Sequence, residues 1–198
     1  FHFELSLAGS QMAYEPGDSL GVIPKNCPEI LGDVLAAIGF SGGEIVASSI
    51  GEERTLEQIL LTDYSVTQLT SNLLKRYAAL ADSDKLDSWL LRENRDALTN
   101  YMDGRELVDL LEDFPIKGLS ASDFIGVLRK MPPRLYSISS SLLAHPDEVH
   151  LTVAIVRYQS HGRKRKGVCS TYLADRVEGP VACYAHHNKK FKLPEDPA

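Results

Sequence analysis

PPRLYSIS, residues 132–139, opens on two prolines and then strings a cation, a phenol and two serine hydroxyls along a strand-like run. Strands usually bury apolar or β-branched side chains. A polar strand of this kind implies a flat, charged ligand lying along it. The stretch also marks a change of period: residues 26–130 before it carry helical spacing, and the residues after it alternate. The chain therefore reads β, then α, then β.

Downstream, EVHLTVAIVRY, residues 148–158, alternates cleanly. Val149, Leu151, Val153 and Ile155 form one face, predicted to be core, and His150, Thr152, Ala154, Val156 and Tyr158 form the other. The second face is small in its middle and ends on an aromatic, which suits a flat ligand over Thr152 and Ala154 with Tyr158 stacking on a second ring. Arg163–Lys166 then reads as a basic loop. Gly167 leads an amphipathic run, Val168–Val177, predicted as a helix with Ser170 and Thr171 in its first turn. A glycine before a helix start offers free backbone N–H groups, and the helix dipole favours an anion there, so a phosphate fits. A solvated hairpin tip is the competing reading of the same residues.

Upstream, Phe1, Phe3, Leu5 and Leu7 alternate with polar residues, and YEPGDSLGVIP, residues 14–24, supplies a turn and a short apolar strand, together predicted as a hairpin. Each helix of the middle segment has a start or stop signal. Pro28 opens one that closes at Gly39; Thr55 precedes LEQILL; Ser83 precedes DKLDSWLLREN; Ser120 with Asp123 resembles a capping box before FIGVLRKM. Leu69, Leu73, Leu74, Tyr77, Ala78 and Leu80 keep helical spacing, as do Leu107, Val108, Leu110 and Leu111, and both stripes are predicted to be core.

Composition narrows the function classes. The chain has 198 residues, 43% hydrophobic and 24% charged, with no apolar run near the roughly 20 residues a bilayer span needs. A net charge of -6 argues against nucleic acid as the main partner. Cys27, Cys169 and Cys183 form neither a CxxC pair nor an even framework, which suits a reducing, cytoplasmic setting. The adjacent His186 and His187 cannot easily face one metal, so no metal site is expected among them. No P-loop, G-x-S-x-G elbow or strand-led G-x-G-x-x-G is present. Cys169, at a helix start, is a conceivable nucleophile. Both ends read as cuts in a longer protein: the first residues already alternate, and FKLPEDPA has the composition of a linker.

A polar strand, a small-residue platform and a glycine-led helix start describe a slot for a ring system joined to a diphosphate. RLYS resembles the R-x-Y-S flavin motif of the ferredoxin-NADP reductase superfamily, and GVCS its G-x-[CA]-[ST] diphosphate motif. The β, α, β order resembles the diflavin reductase branch, in particular the flavoproteins of NADPH-dependent sulfite reduction. That resemblance implies an antiparallel β-barrel that binds FAD, residues 1–25 and 131–198, interrupted by an all-α connecting domain, residues 26–130. It implies that Arg134 pairs with the FAD phosphates, that Leu135 lies in the same flavin motif, that Tyr136 stacks on the isoalloxazine, and that Ser137 hydrogen-bonds near the hydride-accepting N5. Alternation sets Ser137 on the face opposite Arg134 and Tyr136, so a twist or a strand end must bring it round.

The resemblance further implies that Thr152, Val153 and Ala154 contact the ring's polar edge, that Tyr158 meets adenine, and that Gly167, Val168, Cys169 and Ser170 cradle the diphosphate. Thr67, and more remotely Arg105, are further candidate contacts. An NADPH domain beyond Ala198, an FMN domain or flavodoxin before Phe1, a first barrel strand before Phe1 and a hemoprotein acceptor complete the implied system. The rival reading is a β-barrel binding module that holds nucleic acid with the basic 163–166 loop.

Overall fold

The computed structural model describes residues 1–47, 51–189 and 191. In chain order its elements are β1 (His2–Ser6), β2 (Ser19–Val22), α1 (Pro28–Ile38), β3 (Ile45–Ala47), β4 (Glu53–Thr55), α2 (Leu56–Thr62), α3 (Ser71–Ala81), α4 (Asp84–Trp89), α5 (Arg95–Met102), α6 (Leu107–Asp113), α7 (Ala121–Val127), β5 (Arg134–Ser137), β6 (Glu148–Thr152), β7 (Arg157–Ser160), β8 (Arg163–Lys166), α8 (Val168–Asp175) and β9 (Cys183–His186). The fold is thus mixed helix and sheet. Two compact units divide it: residues 1–24, 132–157 and 166 onward make a sheet unit, and residues 25–131 with 158–165 make a helical unit. Apart from Phe191, the linker-like FKLPEDPA lies outside the described residues.

Local chemistry sets the helix ends. Gly39 takes φ 75° and its N–H returns to Ala36 O, the left-handed cap its position predicts. Thr55 and Gln58 exchange side-chain-to-backbone bonds in a full capping box. At Ser120 the box is half-formed: Oγ accepts the Asp123 N–H at 3.0 Å, but the carboxylate takes the serine hydroxyl at 2.7 Å instead of the backbone N–H. Thr70 caps α3. Starting there, α3 turns Leu73, Leu74, Tyr77 and Ala78 inward but leaves Leu80 40% exposed, off the stripe. These residues join Leu31, Val34, Leu56, Ile59, Leu107, Leu110 and Phe124 in one core. The middle segment is not wholly helical, because β3 and β4 pair as a short antiparallel ribbon.

The sheet unit departs from the expected hairpin. β1 pairs with β6, setting Glu4 opposite His150, while β2 lies between β5 and β9. With a partner on each edge β2 is a central strand, and Leu20 and Val22, together on one of its faces, are fully buried. Among the described residues the strands form separate ladders of two, three, two and two, and no closed barrel. Val149, Leu151 and Val153 are buried with Leu7, Leu20, Val22, Cys169 and Leu173, as their alternation predicts. His187 is not idle at the surface. Its Nδ1 lies 2.7 Å from the fully buried Asp18 carboxylate, which also accepts the N–H groups of Glu15 and Asn188.

The basic run 163–166 is strand β8, not a loop, and belongs with acidic partners. Arg165, 2% exposed, places Nη1 3.3 Å from Glu106 and Nη2 2.6 Å from Asp109. Arg163 pairs with Glu112 and also approaches Asp109 and Asp33. Burial raises the Glu106 carboxyl above the usual carboxylate range, against the pull of Arg165, and Asp109 adds to the rise. A carboxyl whose folded pKa exceeds its unfolded one gives stability that is complete below the unfolded pKa and lost as pH rises through the folded value. Glu106→Gln cannot ionise, so its stability relative to the parent is expected to rise as pH climbs from about 4 to 7. Urea denaturation of both proteins across that range checks this; a pH-independent difference overturns it.

Candidate flavin site

Three sequence motifs meet at the start of α8 within the sheet unit. Gly167 donates its N–H to Val156 O at 2.9 Å, and the Val156 N–H in turn donates to Ser170 Oγ at 3.2 Å. This clip fixes the end of the 148–156 run against the helix start. A Cβ at Gly167 would stand 2.7 Å from Ser170 Oγ and 2.8 Å from Val156 Cβ, so the close approach requires glycine. The first-turn N–H groups of residues 168–170 have no acceptor within the helix by its geometry. Cys169, Ser170 and Thr171 are buried beneath them, and Thr171 Oγ1 donates to Gly167 O at 2.9 Å.

From β5, Tyr136 comes within interaction range of the Cys169 sulfur, with Arg134 in electrostatic range of both. Burial pushes the Tyr136 phenol well up, and the Cys169 contact adds to this. Burial likewise pushes the Cys169 thiol up, overriding Tyr136, Arg134 and Arg176, so the helix start does not make it a ready nucleophile. The half-buried Arg134 donates from Nη1 to Pro132 O at 2.9 Å. Arg134 and Tyr136 share the face of Val22 and Leu20, whereas Leu135 and Ser137, both exposed, share the face of Gly21 and Ser19. Ser137 is the last residue of β5, and Ile138 bridges to Leu151 of β6. The strand end anticipated at Ser137 is present.

Thr152 and Ala154 are exposed and Val153 is buried. The Val153 N–H and C=O are both taken by Phe1, at 2.9 and 3.0 Å. Tyr158 and Thr67 belong to the helical unit. Tyr158 is 49% exposed on β7; Thr67 is buried, and its carbonyl accepts the Leu107 N–H at 2.8 Å. Arg105 is occupied inside that unit, donating to Tyr101 O at 3.0 Å and lying 4.7 Å over the Tyr101 ring. One cation escaped the sequence reading. Arg176, at the end of α8, reaches back to Thr171 Oγ1 at 2.9 Å and Val168 O at 3.1 Å. Helical side chains lean toward the N-terminus, so this reach is geometrically natural, but spacing alone did not mark it.

Donor N–H groups, a guanidinium and a half-buried phenol in one place fit an aromatic dinucleotide with a diphosphate bridge. The family model described as "FAD binding domain" matches residues 1–172. The chain belongs to the FAD binding domain family. It is 47% identical, over 99% of its length, to the sulfite reductase [NADPH] flavoprotein alpha-component of Bacillus subtilis. The proteins of that name from Vibrio parahaemolyticus and Mannheimia succiniciproducens are 40% and 41% identical over 98% of this FAD binding domain chain. The chain spans about a third of the length of these relatives, 31–33%. Nothing here supports the nucleic-acid alternative, and two of the four cations it relied on, Arg163 and Arg165, are held in ion pairs.

Proposed function

We propose that this chain is the FAD-binding and connecting region of a diflavin reductase, in a system that carries electrons from NADPH through FAD and FMN to a hemoprotein that reduces sulfite. The observation that carries the reading is the meeting of Tyr136 with Cys169 beside Arg134, at a helix start led by Gly167. Residues 1–25 and 131–198 read as that family's antiparallel flavin-binding barrel, and residues 26–130 as its connecting domain. FAD, when bound, accepts hydride at N5 and releases electrons one at a time.

The chain's residues hold and orient. The Arg134 guanidinium and the amides of Val168, Cys169 and Ser170 bind diphosphate oxygens. Tyr136 offers its ring face to the isoalloxazine, and Ser137 offers a hydroxyl near N5. Thr152, Val153 and Ala154 border the ring's polar edge, while Leu135 borders the slot. An NADPH domain and an FMN domain or flavodoxin are the redox partners. Among the described residues no helix is long and apolar enough to cross a membrane. A cytoplasmic setting accords with the cysteine pattern.

Titration of the purified chain with FAD tests the reading. One-to-one binding is expected, with flavin fluorescence quenched by stacking, and riboflavin is expected to bind about 100-fold more weakly because it lacks the charge-assisted diphosphate bonds. Equal affinity for FAD and riboflavin, or no binding of either, overturns it.

A further inference from the structure

Away from α8, the face of the β1–β6 ribbon that does not point to the core carries His2, Glu4, Glu148 and His150. The turn before β6 adds His145. His150 Nε2 lies 3.0 Å from Glu148 Oε2, and His145 Nδ1 lies 3.8 Å from the same oxygen. One ligand atom from each of His145, Glu148 and His150 falls within 4.8 Å of the others. The His145 and His150 rings are 4.3 Å apart, centre to centre. We propose that His145, Glu148 and His150 form a binding site for a divalent transition-metal ion of the zinc class.

The spacing suits the ion. Bonds of about 2.0–2.2 Å from zinc to imidazole nitrogen and carboxylate oxygen put tetrahedral ligands about 3.3–3.5 Å apart, and the two measured separations bracket that distance. Two histidines and one carboxylate leave the fourth position for water or for His2, whose ring meets that of His150 edge-on at 5.1 Å. Access and anchoring are both provided. The His145 and Glu148 side chains are about half exposed, at 46% and 45%, whereas His150 is 10% exposed and fixed in the ribbon.

The backbone around these ligands is tied down before any ion arrives. The Ser140 hydroxyl accepts the His150 N–H at 2.9 Å and meets the Tyr14 hydroxyl at 2.6 Å. Tyr14 also donates to Glu148 O at 2.9 Å. The Ser139 N–H donates to His150 O, and the His145 N–H closes its turn on Ser141 O, both at 2.9 Å. A site supported in this way binds without ordering its own chain, which favours affinity.

The test uses the tag-free chain, stripped with EDTA and titrated calorimetrically with ZnCl2, with CoCl2 as a coloured substitute. One-to-one binding is expected, with Co2+ giving the intense visible bands of a four-coordinate ion. His145→Ala, in an exposed turn, is expected to weaken Zn2+ binding at least tenfold with an unchanged circular dichroism spectrum, and Glu148→Gln to do the same. His186→Ala, on another strand, should leave it unchanged. Absence of stoichiometric binding, the faint spectrum of hydrated Co2+, or equal affinity in parent and His145→Ala overturns the site. None of these readouts involves flavin.

Discussion

Arg165→Ala is expected to lower the stability of the helical unit by about 3–5 kcal/mol, the usual consequence of removing one member of a buried ion cluster. The guanidinium is 2% exposed and faces two carboxylates that are themselves 9% and 8% exposed, Glu106 and Asp109. Truncation leaves Glu106 buried without its cation, leaves Asp109 only the Arg163 Nε at 3.4 Å, and opens a space where the side chain stood. Folding stabilities of about 5–15 kcal/mol make this a large share of the total. The protein has one tryptophan, Trp89, on α4 of the same unit, so urea unfolding followed by its fluorescence reads that unit directly.

A pH signature separates this from simple loss of packing. Without Arg165 the two carboxylates repel each other in a dry site, and a proton relieves them. The deficit of the variant should therefore shrink as pH falls, because the Glu106 carboxyl, already raised by burial, has lost the cation that held it down. Arg165→Lys should lie between, because a compact ammonium cannot serve two carboxylates as a planar fork does. A loss below about 1 kcal/mol at neutral pH is the magnitude of a surface pair and would contradict the buried-cluster account.

The same residue shows what was legible in the sequence and what was not. RKRK has the composition of a solvated tip, since lysine and arginine are seldom buried. Its partners are 59 and 56 residues away, beyond the range of any local pattern. Signals contained within a few residues translated directly into structure: the Gly39 cap, the Thr55 box and the alternation of Val149, Leu151 and Val153. Strand pairing did not, because alternation states which face is buried and not which strand supplies the cover. Hence β1 joined β6, and β2 went between β5 and β9. The short β3–β4 ribbon carried too few residues to announce a period. At the candidate site the motifs marked Arg134, Tyr136 and the 167–170 turn as candidates, while Arg176 and the His145–His150 cluster emerged when the chain was brought together in space.

Arg134→Ala should cut FAD affinity on the order of 100-fold while leaving riboflavin affinity nearly unchanged. Two charge-assisted hydrogen bonds to a diphosphate, at about 1.5–3 kcal/mol each, support a change of that size even after partial compensation by water. Riboflavin has the ring but no phosphate, so the variant's two affinities should converge. Arg134→Lys keeps the charge and loses the fork, and should fall between the parent and the alanine variant, with the steeper salt dependence of a point charge. The fold should tolerate either change. Arg134 is half-buried, and its hydrogen bond goes to the Pro132 carbonyl two residues away, a local tie whose loss leaves no distant group stranded. Unchanged thermal unfolding of the ligand-free variant is thus part of the expected result. If FAD and riboflavin weaken together, Arg134 supports the ring's platform through Tyr136 and does not grip the phosphates; if neither weakens, the strand that began the sequence reading does not line the slot at all.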